Sequence, residues 1–205
     1  FASEADLAIP DLHQGTFNIF GSTISAWDFL FCGALVIAGT LGFSLYLFHR
    51  IKKLPVHGSM QKVAAAIYKT CQTYLIQQGK FLLMLFALVA IVLCVYFFGL
   101  IGQTVSVVAQ VLLFSVIGMA GSYCVAWCGI SVNTYANASS AFASLRGKPL
   151  DVVKIPSQAG MSVGLFLISL ELVMMVVILL FVPREIVGIC FLGFAIGESL
   201  GASAL

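Results

Sequence analysis

FLLMLFALVAIVLCVYFFGLIGQTVSVVAQVLLFSVIGMAGSYCVAWCG, residues 81–129, carries no charged side chain, and the uncharged stretch continues to Leu145. One membrane crossing takes about 20 apolar residues for roughly 30 Å of hydrocarbon. The stretch is therefore too long for a single span. Its natural break is Gly99-Leu100-Ile101-Gly102-Gln103, where two glycines and a glutamine interrupt the apolar pattern. The expectation is a tight hairpin between two transmembrane helices, 81–101 and 105–129. Three further runs, 29–48, 161–182 and 186–205, meet or nearly meet the same length test. The last two are divided by Val182-Pro183-Arg184-Glu185, where proline ends a helix and the charged pair stays at the interface. The expected fold class is all-α, a polytopic transmembrane helix bundle of about five spans belonging to a larger protein. It divides into an extracytoplasmic arm over 1–28 and a membrane domain over 29–205.

Composition agrees with this. Of the 205 residues, 61% are hydrophobic and 9% charged, against about 25% charged in an ordinary soluble domain. No water-soluble fold of this length buries that much apolar surface. The formal net charge of +2 argues against nucleic acid as a partner and leaves the information in where the charges sit. Residues 49–80 hold Arg50, Lys52, Lys53, Lys62, Lys69 and Lys80 with no acid, and residues 130–160 hold Arg146, Lys148 and Lys154 with Asp151 alone. Alternating spans put both loops on one side, and basic loops stay cytoplasmic. Only Arg184 falls on the other side. The arm, with Glu4, Asp6, Asp11 and Asp28, is then expected outside a cell membrane, and Leu205 near the cytoplasmic face. The chain opens on Phe1 and closes within an apolar run, so both ends read as cut, and Phe1-Ala2-Ser3 would suit the tail of a signal cleavage site.

After Pro55, Met60, Val63, Ile67, Cys71, Tyr74 and Leu75 recur at helical spacing while Lys62, Lys69 and Gln72 face away. This predicts a cytoplasmic helix that packs on its neighbours and runs directly into the second span. Residues 133–160 read as a short helix, a turn and a re-entry, with Pro149 and Pro156 as punctuation. Cys32, Cys71, Cys94, Cys124, Cys128 and Cys190 lack a CxxC pair or a histidine pattern, and read as small membrane-core residues. Cys124 and Cys128 share a helix face, but no third ligand completes a metal shell.

The candidate functional residues are acids inside spans. Gly193, Gly197 and Gly201 recur every fourth residue in the last run, making a face that another helix can approach closely. Ala195, Glu198 and Ala202 form an adjacent small-residue face that offers the acid no local partner. An ionisable side chain at membrane depth is costly and is kept mostly for ion or proton pathways. Glu198 is therefore the first candidate, and Ser199 adds a hydroxyl one residue on. Glu171 lies roughly 15 Å into the fourth span, at a depth within about one helical turn of Glu198. The two line one pathway only if their faces match. Motifs of soluble enzymes are absent: no phosphate-cradling glycine loop, HExxH or GxSxG occurs, and His13, His49 and His57 are scattered.

Five stretches resemble one family. They are Ser3-Glu4-Ala5-Asp6-Leu7 with Ile9-Pro10-Asp11-Leu12, LPVHGSM at 54–60, IYKTCQTYLIQQGKF at 67–81, SVNTYANASSAFASLRGKP at 131–149, and GFAIGESLGASAL at 193–205. Together they resemble the amino-terminal part of bacterial membrane-bound, ion-pumping inorganic pyrophosphatases. The resemblance implies pyrophosphate hydrolysis with Mg²⁺, pumping of Na⁺ or H⁺ across the lipid bilayer, and a homodimer with many more spans per subunit. It also implies gating that depends on a glutamate, for which Glu198 and Ser199 are the candidates. The family's substrate motif, an Arg, a glycine-containing run and a Thr-Lys, begins beyond the position matching Leu205. No pyrophosphate or Mg²⁺ ligand is carried over to any residue here, and the chain alone is expected to be inactive. Ser139-Ser140 departs from the family pattern, which has an Arg-Thr pair there. Taken without the resemblance, the residues fit equally a secondary transporter coupled through Glu171 and Glu198, or a non-catalytic membrane subunit.

Overall fold

The computed structural model describes residues 15–19 and 22–204. The arm motif, Glu4, Asp6, Asp11, His13 and Leu205 lie outside the described residues. Two short antiparallel strands come first, β1 (Thr16–Ile19) and β2 (Ser22–Ser25), with Thr16 opposite Ser25 and Ile19 opposite Ser22. This hairpin falls within what the sequence suggested only as an arm.

Five helices among the described residues are long and apolar enough to cross a membrane. They are α1 (Ala26–Lys52), α2 (Gly58–Cys94, continued by a π-helical turn over Val95–Leu100), α3 (Val105–Ser144), α4 (Pro149–Phe181) and α5 (Val187–Ala204). Together they make this a multi-pass membrane chain. Each matches one of the apolar runs to within a residue or contains it, and the first four extend beyond it at one end or both.

Local chemistry sets the ends. Ser25 caps α1, its hydroxyl accepting from the Trp27 amide at 3.3 Å, and His49, Arg50 and Lys52 occupy the last turn, where cations suit the carbonyl end of the helix dipole. The His57 ring caps α2 by accepting from the Ser59 amide. The expected hairpin at 99–103 is present. The π turn closes with Ile101 N–H donating to Tyr96 O, Gln103 N–H donates to Phe97 O, and Gly102 takes φ +73°, a conformation that excludes most other residues. Gly147, at φ +66°, does the same between α3 and α4. Pro183 forces the preceding Val182 into an extended conformation, and α4 ends at Phe181.

One expectation is corrected in part. The helix and turn expected within 133–160 are present, α3 running to Ser144 and α4 beginning at Pro149, but Pro156 is no break, because α4 continues through it. Pro156 has no N–H for the Val152 carbonyl four residues back, which ordinarily ends or kinks a helix. Here the Ser140 hydroxyl of α3 donates to that carbonyl at 3.0 Å. The orphaned acceptor is satisfied from the neighbouring helix, so α4 persists.

α3 stands at the centre and packs against all four other helices. Phe97, Leu93, Val107, Val108, Val111 and Ile189 fill the end of the bundle at the α2–α3 hairpin, and Ile51, Val132, Ala136 and Ala159 fill the opposite, basic end. Leu75 is buried as the helical spacing of α2 predicted, but Val63, Ile67 and Tyr74 are exposed. A groove of about 340 Å³, lined by Val63, Ile67, Thr134 and Ala138 among others, separates this part of α2 from α3. The amphipathic stripe is thus only partly covered.

Candidate ion site beside the α3–α5 seam

The glycine face of α5 meets α3 backbone to backbone. A methyl group on Gly197 would collide with the Ser115 carbonyl, and one on Gly193 would lie 2.7 Å from the Val111 carbonyl oxygen. On Gly201 it would lie 2.6 Å from Ser122 Cβ. From the other side, a methyl on Gly118 would meet the Phe194 carbonyl and, at 2.9 Å, the Glu198 amide nitrogen. The rising order of partners, 111, 115 and 122 against 193, 197 and 201, means that α5 runs parallel to α3. Hydroxyls tie the same seam: Ser115 Oγ donates to Gly193 O at 2.7 Å and Ser122 Oγ donates to Glu198 O at 3.0 Å. Gln78 of α2 donates its side-chain amide to the Ala204 carbonyl near the end of α5.

This seam holds the backbone of Glu198 against α3 and sets its depth. Gly121, the residue before Ser122, is met from the α4 side by Leu170, whose Cδ2 lies 2.8 Å from where a Cβ would stand. α3 is therefore flanked at one level by Glu198 on α5 and by the neighbour of Glu171 on α4. The two half-buried carboxylates lie within electrostatic range of one another. Among the described residues neither has a hydrogen bond or an ion pair. Two like charges at one depth in a span, each without a countercharge, form an arrangement that a cation or a shared proton would neutralise.

The structure thus sets Glu171 and Glu198 at one level on the two helices that flank α3 and leaves Ser199 on the outer face of α5, where Ala195 and Ala202 are also exposed. Sequence reading missed the other half of the seam. Ser115, Gly118 and Ser122 recur at i, i+3 and i+7, a small-residue stripe that, like the glycines of α5, marks a close helix contact. Cys124 and Cys128 lie one turn apart on one face of α3. No group of three or more His, Cys, Asp or Glu side chains able to hold a metal converges among the described residues.

Comparison with known proteins adds two findings. The family model described as inorganic H⁺ pyrophosphatase matches residues 37–205. A protein of Chlorobaculum tepidum described as a K⁺-insensitive pyrophosphate-energized proton pump is 51% identical over 173 residues, which is 84% of this chain. The chain spans 23% of that relative's length. No solved structure matches.

Proposed function

This chain belongs to the inorganic H⁺ pyrophosphatase family, and from that membership we propose that it supplies five membrane helices to a pyrophosphate-energised cation pump. Glu198 and Glu171 stand on the path of the pumped ion. The observation that carries this reading is that two half-buried carboxylates stand at one level on the helices flanking α3, with no hydrogen-bond or ion-pair partner for either among the described residues. A cation bound between them removes one of two charges from a low-dielectric site, and its release restores the repulsion. Ser199 borders the path from the exposed face of α5. The proposed ion is H⁺, after the description of the relative, and Na⁺ is the other outcome of the test.

The same reading includes a homodimer in a bacterial cell membrane, with the amino terminus outside and the basic end of the bundle in the cytoplasm. Nine of the ten Lys and Arg residues lie at or towards that end, which supports this orientation. Hydrolysis in such a pump would use Mg²⁺. The described residues offer a carboxylate pair and no larger cluster, which does not fit a Mg²⁺–pyrophosphate site. No hydrolytic step is assigned to this chain.

The test uses the intact protein in liposomes with pyrophosphate-driven ion uptake as the readout. Glu198→Ala is expected to reduce pumping to background, and Glu171→Ala to reduce it less. Unchanged pumping and unchanged Na⁺ dependence in Glu198→Ala would make that residue structural. Mg²⁺-dependent pyrophosphatase activity in the isolated chain would overturn the placement of the chemistry elsewhere.

A further inference from the structure

At the basic end of the bundle, a cavity of about 200 Å³ opens between the end of α1, the linker after it, the last turns of α3 and the first turns of α4. Its charged lining is Arg50, Arg146, Lys154 and a single acid, Asp151. Among the described residues none of these four forms an ion pair. Uncompensated like charges gathered around one cavity repel one another, and an anion placed there removes that cost.

A second observation also points to a ligand. Ser139 lines the same cavity, is 2% exposed, and its hydroxyl is buried without a hydrogen-bond partner. Buried hydroxyls in folded proteins are almost always paired, and leaving one unpaired costs about 1–3 kcal/mol. The neighbouring Ser140 is fully used, since it holds α3 to α4 through the Val152 carbonyl. The cavity is therefore a formed pocket between tied helices, with Ser139 and three cationic side chains among its lining residues.

The geometry points to a binding site for a phosphate group, held by Arg50, Arg146 and Lys154 with a hydrogen bond from Ser139. The volume takes a phosphate with several waters, each of about 30 Å³. Arg50 follows the apolar run of α1 almost directly, at headgroup level, whereas Arg146 lies in the turn beyond α3 and further into water. The site thus reaches from the membrane surface outward, and the phosphate is either an anionic lipid headgroup or a soluble phosphate. Basic pockets between transmembrane helices recognise headgroups in this way. This inference does not depend on the ion path proposed above.

The experiment measures thermophoresis of the intact protein in neutral detergent against three probes: short-chain phosphatidylglycerol, short-chain phosphatidylcholine and inorganic phosphate. Phosphatidylglycerol binding more tightly than both others assigns a lipid, and inorganic phosphate binding and displacing it assigns a soluble anion. Arg146→Gln and Lys154→Gln are each expected to weaken binding about fivefold, since a basic residue near a membrane surface contributes about that factor. Asp151→Asn should tighten it severalfold, a gain that misfolding does not produce. Ser139→Ala should weaken binding while leaving thermal stability unchanged or raised, because its hydroxyl has no partner to lose. Failure of both anionic probes to bind more tightly than phosphatidylcholine overturns the proposal. So does unchanged affinity in the two basic-residue variants.

Discussion

The α3–α5 seam and the α1–α4 interface show two different ways of joining helices where lipid removes the hydrophobic drive for their association. α5 lies parallel to α3 with glycines pressed on carbonyls, and the hydroxyls of Ser115 and Ser122 reach across to Gly193 O and Glu198 O. α1 and α4 run antiparallel and join through side chains. Ser44 Oγ donates to Ser162 O at 2.7 Å, Ser162 Oγ donates back to Ser44 O at 3.0 Å, and the hydroxyls of Thr40 and Ser169 lie 2.9 Å apart. Glycines occur on both of those helices too, but Gly39, Gly42 and Gly160 are exposed, Gly164 is half-buried, and none has anything within 4 Å of where a Cβ would stand. Glycine spacing therefore does not by itself mean close approach. What distinguishes α5 is that its glycines face a backbone, and a backbone cannot swing aside as a side chain can. The close seam is also the one that carries Glu198.

The largest effect should come from Gly197→Ala. The added methyl meets the Ser115 carbonyl directly, so α3 and α5 must separate along the whole seam, and the expected loss is about 3 kcal/mol, the upper part of the range for overpacking. Denaturant unfolding of the intact protein in detergent measures it. Because the displacement also moves the Glu198 backbone, ion pumping should fall with stability. A variant as stable as the parent would mean that the seam yields freely, and the contrast drawn between the two interfaces would collapse.

Ser44→Ala tests the other interface and should cost less, about 1 kcal/mol, since hydrogen bonds between membrane helices average about 0.6 and reach about 1.7 kcal/mol. Ser162→Ala should behave similarly. The two substitutions together should cost less than their sum if the reciprocal bonds support one another. Strict additivity in that double-mutant cycle would mean that the two hydroxyls act independently. Neither change should affect pumping beyond its effect on stability, since Ser44 and Ser162 lie on the α1–α4 side and away from Glu198.

Much of the architecture was legible because single residues dictate it. Gly102 and Pro183 end helices by their own backbone restrictions, and the lack of charge over 81–129 forces two spans. Glu198 was legible because an acid among glycines and alanines has no ordinary packing role. What escaped depends on a second helix. Pro156 reads as a helix end, and only the Ser140 hydroxyl, supplied from α3, lets α4 pass through it. Similar depth for Glu171 and Glu198 followed from counting residues at 1.5 Å each, but whether they face one another depends on how α4 and α5 are rotated about α3. Packing at Gly118, Gly121 and Ser122 sets that rotation, and no periodicity within either helix encodes it.

The smallest effect is the most discriminating, because its sign is opposite. Gly164→Ala in α4 adds the same methyl group as Gly197→Ala, also inside a transmembrane helix, at a position where nothing lies within 4 Å of the new carbon. With no steric cost, what remains is the backbone term. Glycine in a helix is roughly 0.5–1 kcal/mol less favourable than alanine, so this variant should gain about 0.5 kcal/mol. The pair of variants adds the same methyl group within a transmembrane helix each time, in α4 and in α5, and differs in what the methyl meets. If Gly164→Ala loses stability by as much as Gly197→Ala, the α4 glycine face is covered in the intact protein by a helix as close as α5 is to α3, and the two interfaces are of one kind.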